Sequence, residues 1–291
     1  MVLCCTILFD AISPILLHHK LLLPIMVSAE VARTTVGILG NITSLILFLS
    51  PLPTFIQIWK KGSVEQFSPA PYLATLLNCM IWLVYGLPLV HPHSMLLITI
   101  NGSGCLIELT FVLLFLFYSD GRKRFRVLVM LMLEFAFVAS VAILVLTLSH
   151  TISRRSLVVG SVCVFFGTLM YAAPLAVLKL VITTRSIEYM PFFLSLASFV
   201  NSICWTAYAV IRFDLFITIP NSLGILFGLV QLILYGKFYK STQRQIEARK
   251  RQGKGDMGLP EVVLIQDSKK MIINNPTQQN GYLVSETPGQ P

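Results

Sequence analysis

Two matching triplets of polar and aromatic residues interrupt otherwise apolar stretches of this 291-residue chain. Asn78, Trp82 and Tyr85 stand at i, i+4 and i+7, and Asn201, Trp205 and Tyr208 repeat that spacing. On a helix these positions share one face. Asn101 and Asn221 add a second pair of amides, each followed three residues later by a glycine, Gly104 or Gly224. An amide both gives and accepts hydrogen bonds, and an indole face can carry the C–H face of a ring. The set therefore suits reversible binding of a neutral polyol. A charged solute calls for carboxylates, Arg or Lys at the same depth, and the acidic candidates Glu108 and Glu134 have no counterpart in the other copy. No nucleotide-binding glycine loop, metal-ligand cluster or nucleophile–base pair occurs, so no catalytic residue, metal or cofactor is expected and the chain does not read as an enzyme.

The triplets belong to a larger duplication. At an offset of 174 − 51 = 123, Pro51 falls on Pro174, Gly37 on Gly160, Ser63 on Ser186 and Glu65 on Glu188, with no gap from Gly37 to Tyr85. A three-residue deletion then brings Asn101 onto Asn221 and Gly104 onto Gly224, at 221 − 101 = 120. A single Asn inside a membrane helix is more often helix–helix glue than a ligand contact. Four of them, paired by an internal repeat and aligned with paired tryptophans, favour a lined cleft instead. Trp82 and Trp205 also lie too far from the ends of their segments for interfacial anchoring.

These residues must be positioned by lipid-embedded helices. Hydrophobic residues make up 55% of the chain and charged residues 12%, about half the charged fraction of a soluble domain. Seven apolar stretches, near Val36–Ile58, Pro71–Val90, Met95–Tyr118, Val127–Leu148, Leu157–Val181, Pro191–Ile211 and Leu215–Tyr239, are each roughly long enough to span. Uninterrupted runs of that length are helices rather than barrel strands. The fold class expected is all-α, with two parallel three-helix repeats joined by one linker helix. The odd linker makes both repeats start from the same side of the bilayer. The boundaries expected are an upstream extension at 1–25, a first repeat at 26–119, the linker at 120–153, a second repeat at 154–240 and a disordered tail at 241–291.

The net charge of +9 sits in short loops and the tail rather than on one amphipathic face, which speaks against nucleic acid. Lys60, Lys61, Arg122, Lys123, Arg124, Arg126, Lys179, Arg185 and the tail lysines and arginines fall on one side, against Arg154, Arg155 and Arg212 on the other. The positive-inside rule then puts the N-terminus outside and the tail in the cytoplasm. Cys79, Cys105, Cys163 and Cys204 lie within apolar segments and read as small hydrophobes.

Pro51 and Pro174 sit late in their helices, where the ring removes a backbone hydrogen bond and permits a kink. Pro71 and Pro191 open helices on the same side; a closing ring and an ordinary first-turn proline account for them equally. Tyr85 and Asp214 could close the opposite mouth by a hydrogen bond, although loop solvation explains Asp214 as well. Glu108 is a costly intramembrane carboxylate, expected to bond to a neighbour or, as the alternative, to relay protons.

Several segments resemble the SWEET sugar transporters. They are Gly37-Ile-Leu-Gly-Asn, Leu49-Ser-Pro-Leu-Pro-Thr-Phe55, Glu65-Gln-Phe, Pro71-Tyr72, Thr75-Leu-Leu-Asn-Cys79, Tyr85-Gly-Leu, Ile98-Thr-Ile-Asn-Gly102, Ala173-Pro174, Arg185-Ser-Ile-Glu-Tyr-Met-Pro191 and Pro220-Asn221. The resemblance covers roughly 26–239. It implies a plant protein with facilitated, energy-independent, bidirectional sugar movement by alternating access. By position, it implies that Asn101 and Asn221 bind the sugar, that Trp82 and Trp205 wall the site, and that Asn78 and Asn201 shape it. It further implies that Pro51, Pro71, Pro174 and Pro191 form an inner gate and Tyr85 with Asp214 an outer one, with His93 near a position where a lysine can assist. Large Asn at 78 and 201 favours a monosaccharide, glucose first and fructose or galactose next. The plasma-membrane branch is expected, with a vacuolar or sucrose-moving member, a proton-coupled symporter using Glu108 and a seven-helix receptor as alternatives. Association into a homo- or hetero-oligomer is compatible with the resemblance.

Overall fold

The computed structural model describes residues 27–64 and 67–251. The expected extension at 1–25, and the tail beyond 251, lie outside the described residues. Seven helical segments follow one another: α1 Val27–Lys61, α2 Ala70–Gly86, α3 Met95–Tyr118, α4 Gly121–Leu148, α5 Ile152–Thr184, α6 Phe192–Val210 and α7 Leu215–Arg251. Six are long and apolar enough to cross a membrane; α2, at 17 residues, is shorter. No strand occurs among the described residues. Helices α1–α3 and α5–α7 are the two parallel repeats, and α4 joins them. Only Val127, Leu131 and Val145 of α4 are buried; Met132, Leu133, Ile143 and Leu144 face outward, as on a lipid-facing helix.

Two helices break where proline requires it. Helix α1 turns at Ser50–Pro51 and resumes as Leu52–Lys61, and α5 turns at Met170–Tyr171 and resumes as Ala172–Thr184. A proline ring meets the carbonyl four residues earlier. For Pro174 that carbonyl belongs to Met170, and for Pro53 to Leu49, so each break lies beside the carbonyl the ring displaces. The lower half of α1 ends at Gly62, whose φ of 66° caps the helix, with Lys60 and Lys61 in the final turn complementing its dipole. At the equivalent position of repeat two, Arg185 adopts the same left-handed conformation, φ 50°.

The core is divided along the membrane normal. At the end carrying Tyr85 and Asp214, Ile81, Trp82 and Tyr85 of repeat one pack in one cluster with Val159, Trp205 and Tyr208 of repeat two. At the opposite, basic end there are two separate clusters. One gathers Phe55, Ile58, Val64, Tyr72 and Phe115 with Val127 and Leu131 of α4. The other gathers Leu178, Val181, Ile187 and Met190 with Phe227, Val230 and Phe238 of repeat two.

Helix α7 corrects one expectation. The tail was expected to be disordered from 241, but the helix continues to Arg251. Residues 240–251 contain neither Gly nor Pro and several strong helix formers. The extension is also anchored. Thr242 Oγ1 accepts from the Ile187 amide at 2.8 Å, Gln245 Nε2 donates to the Thr184 carbonyl at 3.3 Å, and Arg249 makes a two-pronged ion pair with Glu188 at 3.0 and 2.9 Å. Polar composition alone does not reveal such docking.

Candidate functional site

A cavity of about 190 Å³ lies between the repeats. Its polar lining is Asn78, Asn101, Asn201 and Asn221 with Trp82, Trp205 and Ser44, completed by Leu47, Phe48, Leu97, Ile100 and Ile217. The six residues expected at the site thus meet around one space. No charged side chain lines it. The volume is below the ~300–1,000 Å³ of sites for drug-sized ligands, which suits a solute of one ring.

The second amide pair is held alike in both repeats. Asn101 Nδ2 donates to the Leu97 carbonyl at 2.9 Å and Asn221 Nδ2 to the Ile217 carbonyl at 2.8 Å, each one turn back on its own helix. Each amide keeps its carbonyl oxygen and one N–H for other partners. The glycines three residues on explain how their helices approach. A Cβ on Gly104 would stand 2.7 Å from Cys79 Sγ and 2.8 Å from the Phe48 ring, and one on Gly224 would collide with Ser202 and Tyr171. Ser202 and Tyr171 are the repeat equivalents of Cys79 and Phe48, so the same tight seat is built twice. The copies differ in one polar group: Tyr171 donates its hydroxyl to the Pro220 carbonyl at 2.6 Å, where Phe48 has none to donate.

The first amide pair is not held alike. Asn201 Oδ1 accepts from Ser44 Oγ at 2.7 Å, and Trp205 Nε1 donates to Ser44 Oγ at 3.1 Å; Thr43 Oγ1 lies 2.9 Å from the same oxygen, its one proton shared among this acceptor and the Leu39 and Gly40 carbonyls at 3.0 Å. Asn78 Oδ1 is buried and has no hydrogen-bond partner. Gly40 makes the approach of α1 to α6 possible, since a Cβ there would lie 3.1 Å from the Trp205 indole. Sequence reading passed over Ser44. Its signal was a stripe of small residues, Gly37, Gly40 and Ser44, on one face of α1.

Above the cavity, toward the 87–94 loop, Tyr85 and Tyr208 are both 1% exposed. The Tyr85 hydroxyl donates to Asp214, 3.1 and 3.2 Å from its two carboxylate oxygens. Asp214 also accepts from the Phe216 and Ile217 amides at 3.0 and 3.2 Å, which fixes it at the start of α7. His91 completes this plug. Its Nε2 lies 3.5 Å from Asp214, its ring stacks on Tyr85 at 4.8 Å, and its Nδ1 is 2.7 Å from Ser94 Oγ. The histidine beside the Tyr85–Asp214 contact is His91; His93 is exposed and contributes its carbonyl to Arg33 Nη1 at 3.2 Å. Arg33 in turn lies 3.9 Å over the Tyr208 ring. Burial pushes the His91 imidazole below its ordinary range, against the pull of Asp214 and with the help of Arg33, Arg212 and His93.

The prolines lie away from the cavity, toward the basic end. Pro51 is in the α1 turn, Pro174 follows the α5 turn, Pro71 is in the first turn of α2 and Pro191 caps α6. Glu108 is 3% exposed and Glu134 half-buried; neither lines the cavity, and Glu108 Oε2 and Glu134 Oε2 have no hydrogen-bond partner. The neighbour expected to bond Glu108 is therefore not found for that oxygen. No group of three or more metal-binding side chains occurs among the described residues.

Comparison with known proteins agrees with this architecture. A family profile described as "Sugar efflux transporter for intercellular exchange" matches twice, over residues 34–123 and 157–243. The chain is 64% identical over 252 residues to the bidirectional sugar transporter SWEET4 of Oryza sativa subsp. indica, covering 87% of this chain and 95% of that one. It is 50% identical over 249 residues to the bidirectional sugar transporter SWEET7 of Arabidopsis thaliana, covering 85% and 96%. The solved structure of a eukaryotic SWEET transporter superposes with a TM-score of 0.71 at 38% identity, covering 73% of this chain and 99% of that one.

Proposed function

The chain belongs to the SWEET family of sugar transporters, multi-pass membrane proteins and not enzymes, and from that premise we propose that it is a hexose uniporter working by alternating access. The observation that carries the reading is the small uncharged cavity between the repeats, lined by four amides and two indoles. Neutral hydroxyls match such a lining, and its volume favours one sugar ring over two. Glucose is the first substrate, with fructose and galactose next. In this reading the Tyr85–Asp214 contact is the closed outer gate. The four prolines, at the end where each repeat keeps its own core cluster, belong to an inner gate that stands open. Asn101 and Asn221 hold the sugar, Trp82 and Trp205 carry its faces, and Asn78 and Asn201 limit its size.

Movement is bidirectional and needs no ion, because a carrier that binds its solute similarly on both sides equilibrates it. A symporter built on Glu108 is disfavoured by the position of that carboxyl away from the cavity lining. The basic end is cytoplasmic, the N-terminus is extracellular, and the membrane is the plasma membrane. The test is uptake and efflux of labelled glucose, fructose, galactose and sucrose by hexose-uptake-deficient cells at two external pH values. Hexose equilibration at both pH values, abolished by Asn101→Ala with Asn221→Ala, is expected. Accumulation above equilibrium that collapses with the pH gradient contradicts uniport, and preferential sucrose flux contradicts the size argument.

A further inference from the structure

The two connectors at the Tyr85–Asp214 end are unequal. Residues 87–94 join α2 to α3, whereas only 211–214 join α6 to α7. The offset between the repeats is 208 − 85 = 123 before the connectors and 221 − 101 = 120 after them, so repeat one carries three additional residues here. Both connectors end alike. His93 and Phe213, related by the offset of 120, are left-handed with φ of 62° and 55°, and each lies one residue ahead of its pair, Ser94 or Asp214, from which the next helix starts. The additional residues therefore lie within 87–92. That stretch holds the groups that reach repeat two. His91 lies beside Asp214, and Val90 is fully buried in the cluster that both repeats share. Ser156 Oγ of α5 donates to the Val90 carbonyl, and Arg155 Nη1 donates to the Leu89 carbonyl at 3.2 Å. The same guanidinium is fixed from behind, since its Nε and Nη2 donate to the Ser149 and Leu146 carbonyls at the end of α4, at 2.8 and 3.3 Å. Val159, one turn on from Ser156, packs in the cluster that takes Val90.

We infer that the 87–92 insertion is a lid on the outer mouth, supplied by repeat one alone, and that Ser156 and Arg155 are the positioning residues that hold it shut from repeat two. The inference rests on the reading of the Tyr85–Asp214 contact as a gate. Arg33 and Ser156 are related by the offset of 123, so the same position of α1 and of α5 grips the longer connector, at the His93 and Val90 carbonyls. The two grips differ in consequence. The Arg33–His93 bond lies within repeat one and can travel with it. The bonds from Ser156 and Arg155 cross the boundary between the repeats, so separation at this end breaks them together with Tyr85–Asp214. Neither residue lines the cavity. They act on how often the mouth opens and not on how the sugar is held.

The test follows opening of the mouth directly. A cysteine is placed at Leu97, which lines the cavity, and its labelling by an impermeant maleimide added outside hexose-uptake-deficient cells is timed, in excess of labelling in the chain without that cysteine. Ser156→Ala is expected to speed labelling about fivefold, the equivalent of about 1 kcal/mol. Ser156→Thr keeps the hydroxyl and is expected to label at the wild-type rate. Contacts on separate elements that break in one event contribute independently. Tyr85→Phe combined with Ser156→Ala is therefore expected to label about 25-fold faster than wild type. If Ser156→Ala does not reach the surface, Arg155→Lys is read in its place. It keeps the charge but not the three-way reach of the guanidinium, and about threefold faster labelling is expected. Labelling unchanged in Ser156→Ala, or in Arg155→Lys where that is read, overturns the inference. So does a double variant no faster than Tyr85→Phe alone, or a fall in Tm in detergent without faster labelling, which is what a purely structural contact gives. Absence of hexose flux in the wild type instead overturns the proposed function, whereas the labelling ratios judge the lid by themselves.

Discussion

The two ends of this molecule use the same helices to different effect. At the end with Tyr85 and Asp214, residues of both repeats share one cluster, and a tyrosine–aspartate hydrogen bond with His91 beside it plugs the mouth. At the basic end each repeat packs its own cluster, the first also using α4 and the second the stretch of α7 from Phe227 to Phe238. A shared core resists separation, whereas two independent cores can move as bodies. The helix breaks at Ser50–Pro51 and Met170–Tyr171 lie between the two regimes. The lower segments can therefore swing while the upper packing is retained. In the proposed reading, hinge and latch occupy different levels of the same two repeats.

The largest effect expected from disturbing this arrangement is at the hinge. Pro174→Ala restores the missing amide and permits a continuous α5, removing a penalty of about 3 kcal/mol for interior proline. Sugar flux is expected to fall more than tenfold while sugar binding to purified protein, measured by calorimetry, changes little. Unchanged exchange rates argue that the break does not serve movement. Next comes the shared core: Gly40→Ala forces the Trp205 indole to shift, at about 1–3 kcal/mol for overpacking. A lower Tm in detergent and weaker sugar binding are expected together, and a normal Tm contradicts the tight seat. Smaller again is the latch. Tyr85→Phe removes one hydrogen bond worth about 1 kcal/mol and should speed labelling by an impermeant thiol reagent, added outside, of a cysteine placed at Leu97, by roughly fivefold.

The smallest effect concerns His91. Burial lowers its affinity for a proton in the closed mouth, while a solvated histidine titrates near 6.5. Protonation therefore favours the opened, hydrated form. The contribution of His91 to closure is complete above about pH 6.5 and is lost as pH falls from there toward the lowered value of the closed state. Latch opening, followed by the same labelling, is expected to increase modestly between about pH 7 and pH 5 and to become pH-independent over that range in His91→Gln. The opposite slope means that attraction to Asp214 outweighs burial.

Much of the fold was legible because lipid imposes strong rules. Runs of apolar residues had to be helices, the 123-residue offset exposed the duplication, and the i, i+4, i+7 spacing put Asn78 with Trp82, and Asn201 with Trp205, on inward faces. The end of α7 was less legible, since polar composition signals a tail unless something docks it, and the Glu188–Arg249 pair spans 61 positions. His91 and His93 are indistinguishable by type. Only the course of the 87–94 loop brings the first to Asp214.

By itself the sequence determined the number of spans, their parallel duplication and the kinds of groups that meet between the repeats, because each depends on local periodicity and on what hydrocarbon excludes. The tertiary structure alone decided that the two copies are unequal. Ser44 meets Asn201 across 157 positions while Asn78 meets no hydroxyl, a difference that sequence alignment of the repeats treats as an ordinary Ser–Gly mismatch. Pairing of polar groups depends on which helices face each other, and that is fixed by packing between the repeats rather than by the pattern within either one.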